Sequence, residues 1–105
     1  MSKSDLPASS TEELISELLE LCSRITEQPT GFDVPADVTR LAHEGGSSAY
    51  VDALRADRVE IVPFRHGEHV RLPVLLTLDC HDSARRFAEL FNELSKEWRR
   101  AESPP

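Results

Sequence analysis

With 105 residues and a formal net charge of −7, the chain has room for one hydrophobic core and none for a second, and its acidity opposes phosphate backbones and anionic bilayers at long range. Hydrophobic residues at 39 % and charged residues at 30 % exclude a wholly disordered chain. Two cysteines, Cys22 and Cys80, outside any C-x-x-C pair, exclude a disulfide-stapled scaffold, and both thiols are expected to stay reduced in the cytoplasm.

Residues 1–9 are polar and read as a disordered tail, residues 10–101 as a single domain, and residues 102–105 as a second tail. The opening Met-Ser-Lys-Ser-Asp leads into no apolar run of the signal-peptide kind. Ser10 and Glu13 have capping-box spacing, in which each side chain satisfies the other's free backbone N–H. Leu14, Leu18, Leu21 and Ile25 then recur at helical spacing, with Glu12, Glu13, Glu17 and Glu20 opposite, so an amphipathic helix is predicted over 11–27. A second helix is expected to start near Pro35, with Val38, Leu41 and Ala42 inward, and to stop at Gly45-Gly46. Ser47 or Ser48 can cap a third, short helix to about Asp57, burying Val51 and Leu54.

A hairpin follows. Arg58 to Phe64 is rich in Val, Ile and Phe. From Val70 to Leu78, alternation sends Val70, Leu72, Val74, Leu76 and Leu78 to one face and Arg71, Pro73, Leu75 and Thr77 to the other. The apolar run Leu72 to Leu76 contains Pro73 and is far too short to span a bilayer. Pro63 and Pro73 mark sheet edges or a bulge. Asp79 or Asp82 is expected to cap a last helix over 82–101, whose Phe87, Phe91, Leu94 and Trp98 form one line. The fold class is therefore α+β: about four helices with one two-stranded antiparallel hairpin, in the order α-α-α-β-β-α.

Several residue groups have the chemistry of a site. His66, His69, Cys80 and His81 are metal-ligand types, but the hairpin places the first two roughly 30 Å from the last two at ~3.3 Å per strand residue. His66 and His69 read as an exposed polar turn, and no metal or other cofactor is expected. Cys80 stands between a strand and a helix start, where the dipole favours a thiolate, yet no directed base is placed beside it. Gly45-Gly46-Ser47-Ser48 lacks the lysine of a phosphate loop. No residue is expected to be catalytic.

The order and length of the elements resemble a winged helix-turn-helix domain, with Gly45-Gly46 similar to the motif's turn and Leu41-Ala42, Val51 and Leu54 to its apolar positions. That resemblance implies a DNA-binding transcription regulator whose Arg55, Arg58, Arg65 and Arg71 meet the duplex. Its weak point is charge: Asp52 and Asp57 cancel Arg55 and Arg58, whereas a duplex binder gathers Lys and Arg. The first expectation is instead a small non-enzymatic cytoplasmic adaptor or regulator that binds protein, and itself as a homodimer. Leu14 and Leu18 of the first helix with Phe87, Phe91, Leu94 and Trp98 of the last are its expected interface. Nucleic acid and membrane are not expected partners.

Overall fold

A computed structural model describes residues 10–44, 47–63 and 73–102. Their order is α1 (Ser10–Cys22), β1 (Ile25–Glu27), α2 (Ala36–Glu44), β2 (Ser47–Val51), β3 (Arg58–Pro63), β4 (Val74–Leu78) and α3 (His81–Glu102). The strands form one antiparallel sheet in the order β1-β4-β3-β2. The fold is α+β as expected, but the inventory is corrected. Among the described residues there are three helices and four strands, not four helices and a two-stranded hairpin.

The third helix expected over 48–57 is β2 and the turn after it. Val51 and Leu54 have helical spacing, but Leu54 is 92 % exposed and was never a core residue. What decides the segment is its alternation: Ser47 and Ala49 are buried while Tyr50 is exposed, and each residue of β2 pairs with one of β3. Asp52 then breaks the strand, its Oδ1 accepting the Leu54 N–H at 2.8 Å, a local bond that competes with helix and favours a turn. With this segment extended, the element after α2 among the described residues is a strand and not a recognition helix, and the winged helix-turn-helix likeness fails.

The first helix also stops early. It ends at Cys22, where Ser23 Oγ and Ser23 N both donate to the Glu20 carbonyl, at 2.6 and 3.1 Å. Ile25, which prolongs the apolar stripe by spacing, instead opens β1 and pairs with Leu78. The second helix has the expected inner face, Val38, Leu41 and Ala42, and follows a cis Val34–Pro35 bond. The last helix runs His81–Glu102, close to its expected span. Cys80 holds the cap position, its carbonyl accepting from Ala84 N at 3.1 Å, so the expected caps Asp79 and Asp82 fall one residue before it and two after it. The expected Gly45-Gly46 stop, the hairpin tip and Val70–Leu72 lie outside the described residues, as do both tails except Glu102, which belongs to α3.

The helix α3 lies across β2, β3 and β4, and α1 and α2 pack against α3. The core between these layers holds Phe87, Phe91 and Leu94 of α3 over Val59, Ile61, Leu76 and Leu78 of the sheet, with Leu18 of α1 and Val38 of α2 closing its sides. Burying each large side chain contributes roughly 1.5–3 kcal/mol, and this cluster is the main source of stability.

Candidate functional site: the bare face of the sheet

Strand alternation has a second consequence. If Ala49, Val59, Ile61 and Leu76 face α3, then Ser48, Tyr50, Arg58, Glu60, Val62, Leu75 and Thr77 face the other way. All three helices are joined to the first side through α3, so among the described residues no helix covers the second. An antiparallel sheet tolerates one solvated face, which is then normally polar. Here the face is mixed.

Its central row consists of cross-strand neighbours: Tyr50 pairs with Glu60, and Glu60 with Leu75. Neighbours of this kind stand about 5 Å apart at Cβ. Tyr50 is 54 % exposed and Leu75 41 %. Glu60 is partly buried between them, and no described residue pairs with its carboxylate in an ion pair. On one side the row continues into Ser48 and Val62. On the other, Arg58 pairs with Thr77 across the sheet, and Thr77 with Glu27 of β1. A shallow open groove of about 700 Å³ runs beside β1, with Glu27, Arg58, Leu75 and Thr77 in its lining.

The charges along the rim are mostly settled locally. Arg58 Nε lies 3.2 Å from Asp52 Oδ2. The Asp52 carboxyl is held below its usual range, first by the Leu54 N–H and also by the Arg58 guanidinium. Arg55 reaches Asp57 at 3.4 Å. The turn between β2 and β3 is thus fixed at both ends, by these contacts and by Asp52 N donating to the Arg58 carbonyl at 2.8 Å, and it carries Leu54 outward.

The residues singled out from sequence fall elsewhere. Leu18, Phe87, Phe91 and Leu94 are inside the chain's own core, and Leu14 and Trp98 are partly buried against it. The Trp98 ring meets His43 of α2 edge-on, with centroids 4.9 Å apart at 67°. This line of side chains is already covered by its own chain and presents little free surface to another. Of the arginines expected on DNA, Arg55 and Arg58 are engaged by aspartates, while Arg65 and Arg71 lie outside the described residues. His66 and His69 lie there too. Tyr50, Glu60 and Leu75 were not foreseen as a group. The signal for them was the alternation of Arg58-Val59-Glu60-Ile61, which separates an inner from an outer set; Val74-Leu75-Leu76 is apolar throughout and carries no such signal.

A second cluster surrounds the start of α3. Cys80 is exposed and its Sγ lies 3.5 Å from Ser83 Oγ. The Asp79 carboxyl is lowered by a hydrogen bond from Ser83 and then by Arg24, whose Nη1 is 3.1 Å away. Arg86 binds Glu17 through two nitrogens, at 2.7 and 2.9 Å. Both arginines beside Cys80 are therefore neutralised by carboxylates. Among the described residues no three His, Cys, Asp or Glu side chains gather as a metal site. Among them also no helix is long and apolar enough to cross a membrane. No protein-family model matches the chain, and no curated protein and no solved structure matches it either.

Proposed function

We propose that this chain is a non-enzymatic, cytoplasmic protein-binding module whose docking surface is the bare face of its sheet. The observation that carries this reading is the row Tyr50–Glu60–Leu75, an aromatic and an aliphatic side chain held in register on a face left open by all three helices. Aromatic residues on a rigid, partly apolar surface are the usual anchors of protein interfaces. The sheet holds their backbone fixed, so little ordering entropy is lost when a partner arrives. Leu54, 92 % exposed on a braced turn just past the end of β2, is a further apolar side chain open to solvent. The cytoplasmic assignment is supported by the two unpaired thiols, Cys22 and Cys80.

Photo-crosslinking tests the reading. A photoreactive residue is placed at Tyr50 or, as a control, at Arg85 on the exposed side of α3. In native lysate, position 50 is expected to give a discrete adduct and position 85 none. Excess unmodified protein should compete the adduct away, and excess Tyr50→Ala, Leu75→Ala protein should not. Equal adducts from both positions, or none from position 50, would sink the reading.

A further inference from the structure

Resting on that reading of the face, we infer that its occupant is a basic amphipathic helix of a partner protein, with an arginine or lysine seated on Glu60 between Tyr50 and Leu75. The argument begins with charge. Among the described residues the face and its rim carry Glu27, Asp52, Asp57 and Glu60 against Arg55 and Arg58, and Arg55 is taken by Asp57. Arg58 is taken by Asp52, which leaves Glu60 at the centre and Glu27 at the groove without a cationic partner among the described residues. A carboxylate flanked by an aromatic ring and a leucine is a poor seat for an apolar side chain, because docking one there desolvates the charge with nothing to offset it. It is a good seat for Arg or Lys, whose stem lies along apolar surface while the head meets the carboxylate. Tyr50 adds a ring face to the same cation.

Size points the same way. The described parts of the four strands, about 4.8 Å apart and three to six residues long at ~3.3 Å each, make a face of roughly 15 by 15 Å. A second copy of this chain docked sheet to sheet would bring Glu60 towards the Glu60 of the other copy in a chain already at −7. A helix is ~10 Å across with its side chains, and ~10 residues of it span 15 Å. One helix fits this face. Its charge opposes that of the chain, so the long-range field speeds encounter rather than hindering it.

The full-length protein can be titrated with synthetic helical peptides of about 15 residues, followed by backbone amide shifts. The peptides share one leucine stripe and differ only in their polar residue: arginine, glutamine or glutamate. The arginine peptide is expected to shift Tyr50, Glu60, Leu75 and Thr77 at physiological salt. Glu60→Gln is expected to weaken it at least ~10-fold, and Glu12→Gln on the acidic side of α1 to leave it unchanged. If the arginine peptide shifts α1 instead, or ignores Glu60→Gln, its binding is bulk charge attraction and the inference falls. If the glutamine or glutamate peptide occupies the face equally well, the basic preference is wrong while the docking surface stands. If no peptide shifts the face, the helix inference falls, and the crosslink from position 50 decides whether the docking surface stands. Shifts of these residues that grow with protein concentration alone would assign the face to a second copy and overturn the helix.

Discussion

Asn92 and Ala49 exchange two hydrogen bonds: Asn92 Nδ2 donates to the Ala49 carbonyl at 2.9 Å, and Ala49 N donates to Asn92 Oδ1 at 2.8 Å. Ala49 is in β2, an edge strand of the sheet. Asp52 N bonds the Arg58 carbonyl, so the even-numbered residues of this segment exchange bonds with β3 and the peptide groups of Ala49 point to the free edge. The carboxamide of α3 thus takes the place of a neighbouring strand. It joins helix to sheet and blunts an edge that would otherwise template pairing with another chain. Asn92→Ala leaves a donor and an acceptor of Ala49 without these partners. It is expected to lower stability by about 1–3 kcal/mol in urea unfolding, with added concentration-dependent association in sedimentation. A variant as stable and as monodisperse as the parent would show that water replaces the carboxamide at no cost.

The bidentate pair of Glu17 with Arg86 ties α1 to α3, and it predicts a pH dependence. The Arg86 hydrogen bond lowers the Glu17 pKa in the folded state. An unfolded glutamate titrates near ~4.3 and so binds its proton first as pH falls. The stabilisation is therefore present above about pH 4.3 and lost as pH drops through the lower folded pKa. Both side chains are nearly half exposed, which limits the pair to less than about 1 kcal/mol at neutral pH. Glu17→Gln should make the acid limb of the stability–pH curve shallower. Asp37, lowered first by the Asp33 N–H, and Asp79, lowered first by Ser83, titrate in the same direction, so part of the limb remains. A Glu17→Gln curve parallel to that of the parent through pH 5 to 3, as a chosen range of about two units, would refute the coupling.

Much of this architecture is legible in the sequence where periodicity is long. The line of Phe87, Phe91 and Leu94 announces α3, and the inner face of α2 follows from Val38, Leu41 and Ala42. What could not be read was decided at a distance. Ile25 fits the α1 stripe, and nothing beside it says that its partner will be Leu78. Ser47–Val51 is short enough for a serine cap and one apolar pair to imitate a helix, and only β3 and Asn92 hold it extended. The site suffered from the same error. With Tyr50 placed on a helix, its row with Glu60 and Leu75 cannot be assembled, although Glu60 alternates plainly with Val59 and Ile61. The apolar line of α3 was legible as apolar but not as internal, because α1, α2 and the sheet together cover it.

The two thiols should differ sharply in reactivity. Cys22 belongs to the core, and burial pushes its pKa up to about 11, so little thiolate is present or accessible in the folded protein at neutral pH. Cys80 is exposed. A disulfide reagent at neutral pH is expected to modify Cys80 promptly and Cys22 only through opening of the fold, at a rate set by that opening. In the Cys80→Ser protein the remaining reaction should therefore accelerate with urea. Prompt modification of Cys22 without denaturant would mean that α1 leaves the core readily.

The sharpest contrast is between the two sides of the sheet. Phe91 has no exposed surface and sits over Ile61 and Leu76 in one continuous core. Replacing it by alanine removes most of a buried aromatic side chain and leaves a cavity, which typically costs about 3–5 kcal/mol, much of what a domain of this size has to spare. Tyr50 and Leu75, on the bare face, lose far less burial. The pair Tyr50→Ala, Leu75→Ala is expected to stay within about 1 kcal/mol of the parent, because neither side chain fills the core and only cross-strand contacts are lost. Chemical unfolding of both variants checks this. The same proteins then separate stability from binding: the double substitution should abolish the crosslinked adduct while the fold persists, whereas Phe91→Ala should weaken binding only in proportion to the fraction unfolded. If the double substitution unfolds the chain as Phe91→Ala does, then Tyr50 and Leu75 are structural, and the bare face holds the molecule together instead of meeting a partner.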